Sequence, residues 1–377
     1  MYYLGDKRLL KGEKALILNS RQSKMPSGSH QWIQNSFKAV CDAIANGYVI
    51  VTSIGMNTWE FVVWATGYNK GNQIIVLPID GKEDEYKVRD DIINDYGLDK
   101  SRAGFMFFRA AKKGMRAKSA WAERDRIAVS LANQIYPVSI RKDGNLERLF
   151  KNNPAKTSTA QTAYNIEYNP RVKRETVAID EEELADELKN AEWNYLTHYT
   201  RAAYGPWPGE TSAEFYNSIY GSCNSYPRSA CATLKRIVSE QKIWASYYHI
   251  RGGHKVISFT ELSPKEAIKL IKWRPRYVRW NFEPYGIAID KEYAQSIGIR
   301  PVIYDSSENF CKLSDNDKPF YQNPGDKGGD WKPEKEWRHC GNLDLSQIPA
   351  RKILLLVRNK GDIFESPYGA IPLSKLG

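Results

Sequence analysis

A chain of 377 residues is too long for one ordinary hydrophobic core and points to two domains. With 42% apolar residues, 11 Trp, 23 Tyr and 12 Phe, it can fill two interiors, which excludes global disorder. A formal charge of +11 attracts polyanions such as nucleic acid or nucleotide phosphates, although a solvated basic surface has the same sum.

The start, "MYYLGDKRLLKGEKALIL", has no apolar signal segment, and no run is long enough to span a bilayer. The expectation is a cytoplasmic protein without a membrane partner; the oligomeric state is left open. Cys41, Cys223, Cys231, Cys311 and Cys340 are scattered and form no C-x-x-C pair, so neither a metal site nor a disulfide framework is expected.

In chain order, "KALILNS" and "YVIVTSIG" are short apolar runs ending in small residues, separated by the helical spacing of "QWIQNSFKAVCDAIANG". The helix-like "TWEFVVWATGYNK", the strand-like "NQIIVLPI" and "RAGFMFF", the helix-like "SAWAERDRIAVSLAN" and the strand-like "QIYPVSI" follow. This alternation predicts an α/β domain, a Rossmann-like parallel sheet flanked by helices, over residues 1–155. Ligands of such sheets sit at the carboxyl ends of the strands, here "NSRQSKMPSG" and "TSIGMNTWE".

Residues 156–185 are polar and aperiodic and read as a linker. Residues 186–377 form the second domain, of α+β character: strands are predicted at "YLTHYTR", "KVISFTEL", "RYVRWNF", "YGIAIDK", "RPVIYD" and "KILLLVR", and helices at "DEEELADELKNAEWNYL", "ACATLKRIVSEQKI", "SPKEAIKLIK" and "KEYAQSIG". "YGPWPGETSAEFYNSIYGSCNSYPRSAC" reads as an ordered excursion, a lid or substrate loop. "KWRPRYVRW" interleaves Lys272, Arg274, Arg276 and Arg279 with Trp273, Tyr277 and Trp280, a pattern suited to single-stranded nucleic acid, DNA or RNA, or else a strand with one packed and one solvated face.

In the first domain, "ALILNSRQSKMPSG", "GYVIVTSIGMNTWEF" and "AERDRIAVSLANQIYPVSIRKDGNL" resemble the superfamily that joins DNA-processing (Smf-type) proteins to LOG-type nucleotide hydrolases. The resemblance implies a nucleotide ligand. Ser20, Arg21, Ser23 and Gly28 could cradle its phosphate, with Gly55, Asn57, Thr58 and Glu60 at the next strand end and Arg124 and Arg126 as phosphate partners. The hydrolase loop Gly-Gly-x-Gly-Thr-x-x-Glu is not reproduced: "SIGMNTWE" has one glycine and places Glu60 two residues after Thr58, which favours binding over hydrolysis.

In the second domain, "YLTHYTR", "VISFTEL" and "EKEWR" occur in an order that resembles the ADP-ribosyltransferase superfamily, which places His or Arg on an early strand, Ser-x-Ser/Thr on a middle strand and a late Glu-x-Glu. "LTHYTR" with "LKRIVSEQKIWAS" resembles DarT-type DNA ADP-ribosyltransferases. "SFTE", "YGIAIDK", "RPVIY" and "EKEWR" are similar to abortive-infection-associated bacterial proteins, which implies phage defence.

By that resemblance the substrate is NAD and the acceptor a nucleic acid or water. Glu336 would stabilise the cationic ribose and Glu334 would orient the acceptor. Ser258 and Thr260 would hold nicotinamide-side groups or the Glu336 carboxylate, and His198 a ribose hydroxyl. Arg201 or Arg251 would meet the pyrophosphate, and Tyr204, Trp207 and Tyr247 would stack on a ring. On a regular strand Glu334 and Glu336 share a face, as do His198 and Thr200. The competing reading puts the glutamates at a wet edge with Lys332, Lys335 or Arg338, and His198 in a structural role. Two further readings remain: a DNA- or nucleotide-binding protein whose second domain is degenerate, and N-glycosidic cleavage in the first domain around Glu60 and Arg124.

Overall fold

Strands of the first half are apolar at consecutive positions because both of their faces are covered. β1 (Tyr2–Leu4), β2 (Lys14–Asn19), β3 (Val49–Thr52), β4 (Gln73–Ile79), β5 (Ala103–Arg109) and β6 (Gln134–Ser139) form one sheet of order β1-β5-β4-β3-β2-β6. All its pairings are parallel except that of β1 with β5. Apart from one short turn of helix at Arg8–Lys11, the helices between them are α1 (Gln31–Ala45), α2 (Asn57–Tyr68), α3 (Glu85–Tyr96) and α4 (Ala117–Leu131), with α5 (Asn145–Lys151) after β6. Ala15, Ile17, Ile50 and Ile75 pack with α1 to α3, whereas Leu16, Leu18, Val51 and Ile74 pack with α4 and α5. The computed structural model describes residues 1–79, 83–109, 117–169, 177–190, 192–248, 250–274, 279–326 and 329–376.

The protein is thus α/β, with a Rossmann-like parallel sheet followed by a sheet-rich α+β region. Its two compact units are Met1–Arg174 with Tyr204–Pro227, and Glu175–Ala203 with Arg228–Gly377. This division differs from the expected one in two places. The stretch at 204–227 is no lid: it belongs to the first unit, where its helix α6 (Ser212–Gly221) buries Phe215, Tyr216 and Ile219 in the core. A Thr211–Glu214 capping box starts α6, Asp95 accepts from the backbone N–H and hydroxyl of Ser212, and Tyr220 stacks on Phe37 at 4.3 Å.

Nor are residues 156–185 a free linker. Gln161 and Ile166 donate their backbone N–H groups to Ile135 and Val138 along β6, and Ile179 and Leu184 are buried in the second unit. Among its described residues, the acidic stretch expected to form a long helix is helical only over Asp186–Lys189.

In the second unit, β7 (Tyr195–Tyr199), β8 (Val256–Thr260), β9 (Gly286–Asp290), β10 (Arg300–Pro301), β11 (Glu336–Cys340), β12 (Ile353–Val357) and β13 (Gly369–Pro372) form a sheet of order β10-β11-β8-β7-β9-β12-β13. Its pairings are antiparallel except that of β12 with β13. Leu196, Ile257, Phe259, Ile287 and Trp337 pack under α7 (Ala230–Glu240), through its buried Leu234, Ile237 and Val238. Within "RPVIYD" the strands are two residues long, Arg300–Pro301 and Ile303–Tyr304; of "RYVRWNF" only residues 279–282 are described, and there Arg279–Trp280 pairs with Trp273–Arg274. Among the described residues no helix is long and apolar enough to cross a membrane.

Candidate functional sites

The centre of the second unit is a place where its sheet parts. Strands β7 and β8 pair at Thr197–Thr260 alone. Beyond that pair, the Nδ1 of His198 meets the Ser258 carbonyl oxygen at 2.8 Å, where a ladder hydrogen bond would otherwise lie. A carbonyl only accepts, so Nδ1 carries the hydrogen and the neutral ring keeps an acceptor lone pair on Nε2. Burial of the ring pulls His198 down to about 4; the Ser258 carbonyl opposes that fall and Arg201 adds to it.

Across β8 the register sets Glu336 opposite Thr260 and Arg338 opposite Ser258. Ser258 Oγ donates to Glu336 Oε1 at 2.6 Å, and Arg338 holds the same carboxylate at 2.9 and 3.1 Å. Thr260 Oγ1 donates to the Glu334 carbonyl at 2.6 Å. Thus His198, Ser258, Thr260, Glu334 and Glu336 line one cleft of about 310 Å³, joined by Arg201, Arg274 and Arg279.

The expectation that both glutamates sit on one strand face is corrected. Glu334 ends a short 3₁₀ turn, Lys332–Glu334, and Lys335 follows in the left-handed region at φ 43°, so the strand begins only at Glu336. The turn still aims Glu334 into the cleft, where it accepts from Asn281 Nδ2 at 3.0 Å and lies 3.8 Å from Arg274. Desolvation raises its pKa, Asn281 opposes, and Glu336 raises it further. His198 and Thr200 do not share a strand face either, because β7 ends at Tyr199 and the Thr200 hydroxyl turns to the Ala230 carbonyl.

Other expected ligand residues are placed differently. Arg251 stacks on Phe310, its guanidinium carbon 4.3 Å from the ring centroid, and donates to the Ser307 carbonyl; it does not line the cleft. Tyr247 is exposed and also outside the lining, which takes Trp244 and Tyr248 from the same segment instead. Tyr204 and Trp207 belong to the first unit.

The basic segment is no continuous stripe. Lys272 is exposed, Arg274 turns into the cleft, and Trp280 meets Trp273 edge-on and packs on the core. Arg276 lies outside the described residues. Arg338, Asn281 and Trp331 are cleft residues that the sequence did not single out as ligands, and Arg279, expected to meet nucleic acid, also lines the cleft. The signal for Arg338 was present: Glu-x-Arg on a strand puts both side chains on one face.

A second cavity, of about 530 Å³, opens in the first unit where β2 turns to β3 on one side and to β6 on the other, the switch point at which open α/β sheets bind ligands. Ser20 links the two sides: its N–H donates to the Ser139 carbonyl and its Oγ accepts from the Arg141 N–H. Ser20, Arg21, Gly55 and Arg124 line the cavity, with Arg141 and Arg148 in addition.

Arg124 is 3% exposed, clamped between Trp59 and Trp121 at 4.7 and 4.8 Å and paired with Asp125, so it shapes the wall more than it reaches out. Gly55 has φ +89°, and a Cβ there would stand 2.5 Å from Trp121. Gly28, Asn57, Thr58, Glu60 and Arg126 are not in the lining. Gly28 is pressed on the end of α6, where a Cβ would lie 2.2 Å from the Ser222 carbonyl oxygen. Asn57 bonds the Ser23 carbonyl, Thr58 is buried, and Arg126 pairs with Glu123. Glu60 accepts from the Gly55 N–H and the Tyr216 hydroxyl, so its carboxylate is committed to the fold.

No family model and no curated protein matches the chain. Among solved structures it is similar to DNA processing protein A of Helicobacter pylori, studied for its single-stranded DNA binding mode, at 13% identity and a TM-score of 0.32, over 44% of this chain and 74% of that one. It is also similar to DNA processing protein A of Streptococcus pneumoniae, at 20% identity and a TM-score of 0.29, over 40% of this chain and half of that one. Likeness this distant carries no argument about function.

Proposed function

We propose that the second unit cleaves the bond between nicotinamide and ribose in NAD and passes ADP-ribose to water or to a nucleic-acid acceptor. The observation that carries this reading is the meeting of His198, Ser258 and Glu336 in one cleft, from three strands distant in sequence. The bond's electron pair leaves with nicotinamide, and the cationic ribose carbon forms beside the Glu336 carboxylate. His198 Nε2 would accept from a ribose hydroxyl. Arg201, Arg274 and Arg279 would meet the phosphates, and Tyr248 and Trp244 offer ring faces. The incoming nucleophile would lose its proton to Glu334, whose desolvated carboxylate is a better base than a solvated one. The test is incubation with NAD, alone and with DNA or RNA, followed by the masses of the products. Free nicotinamide with ADP-ribose or an ADP-ribosylated polymer supports the proposal, and intact NAD in every mixture refutes it.

A second reading, binding without chemistry, is favoured by the first-unit cavity. Arg21, Arg141 and Arg148 stand at its rim, where a nucleotide or a DNA phosphate would be held. Tight, salt-sensitive DNA or nucleotide binding by a protein that leaves NAD intact would select it. The third reading, glycosidic cleavage at Glu60, loses support because Glu60 does not face the cavity.

A further inference from the structure

Arg338 is 1% exposed and directs all five of its N–H donors to acceptors. Nε donates to Glu336 Oε1 at 2.9 Å. One terminal nitrogen donates to Glu336 Oε2 at 3.1 Å and to Gln322 Oε1 at 2.8 Å, and the other to the carbonyls of Pro319 at 3.0 Å and Tyr321 at 2.8 Å. The guanidinium is therefore fixed by three groups other than the carboxylate it holds. The carboxylate is fixed in turn: Oε1 takes Ser258 Oγ and Arg338 Nε, and Oε2 takes one Arg338 nitrogen. A carboxylate offers about four lone-pair positions, so among the described residues one position, on Oε2, is left for a ligand.

We infer that Arg338 is a positioning residue: its fork sets the plane of the Glu336 carboxylate and leaves a single Oε2 lone pair for one hydroxyl of the substrate. This rests on the proposed cleavage at Glu336 and adds to it which oxygen is used and why an arginine lies beneath it. A planar two-pronged donor is required, because a lysine supplies the charge without the second parallel bond. Bare neutralisation of Glu336 would weaken its hold on the cationic ribose, so the arginine's value lies in geometry.

The experiment measures kcat and KM for nicotinamide release by the wild type, Arg338→Lys and Arg338→Met, each normalised to the folded fraction from circular dichroism. The expected result is a fall in kcat of about a hundredfold in both variants, with KM within about threefold. A folded Arg338→Lys that keeps the wild-type kcat overturns the inference, as does a change confined to KM. If neither variant folds, Gln322→Met loosens one support of the fork; a kcat reduced about tenfold at unchanged KM supports the inference, and an unchanged kcat overturns it. A wild type that releases no nicotinamide overturns the cleavage reading by itself. Positioning is then decided by the crystal structure of the loosened variant that folds: a Glu336 carboxylate turned away from Ser258 supports it, and an unmoved one overturns it.

Discussion

His198 shows how one residue can join two strands and face a cleft at the same time. Its ring fills the gap between two parting strands, and its withdrawal from water pulls the pKa to about 4, below the usual value for histidine. A depressed histidine binds its proton more readily unfolded than folded. The stability it contributes is therefore present above about pH 6.5 and is lost as pH falls toward 4. Each pH unit in that window costs up to about 1.4 kcal/mol. Urea unfolding at several pH values is expected to show a steeper acid loss for the wild type than for His198→Gln; parallel curves would deny the depressed, neutral ring. His198, Ser258 and Glu336, which line one cleft, were grouped from the sequence only through the resemblance of their order to the ADP-ribosyltransferase pattern. The sequence placed Arg338 on the strand face of Glu336 but did not show its burial, since an arginine beside two glutamates looks the same whether it lies in water or, as here, is buried at the cleft wall.

Elements were legible wherever periodicity was strong. The parallel strands β2 to β6 and the helices α1, α2 and α4 lie where apolar runs and helical spacing put them, because each strand is covered on both faces; α3, whose surface is mostly polar, was not read from the sequence. The excursion at 204–227 was legible as ordered but not as part of the first unit: an aromatic helix face does not name the core it will enter. Thr211→Ala removes half of the capping box of α6 and is expected to cost about 1 kcal/mol. Gly28→Ala sets a Cβ against backbone oxygens and should lower the melting temperature more than Thr211→Ala does. Calorimetry on both variants checks the order; a neutral Gly28→Ala would contradict the packing of α6.

For the whole molecule, the net charge of +11 has two outlets, the cleft of the second unit and the cavity of the first. On the second reading, in which the first cavity holds a DNA phosphate, DNA binding should weaken as salt rises, with a log–log slope of about −0.7 to −0.9 per phosphate contact. Arg21→Ala and Arg141→Ala should each make that slope shallower by about one contact, as read by fluorescence titration. Slopes unchanged in both variants would place the contact elsewhere.

The central claim, that Glu336 sits where NAD is cleaved, is tested most directly by the rate of nicotinamide release from NAD by the wild type and by Glu336→Gln, which keeps shape and removes charge. The account predicts release by the wild type and a fall of about a thousandfold in a variant with an unchanged circular dichroism spectrum. Equal rates in the two proteins, or no release by the folded wild type, would contradict it.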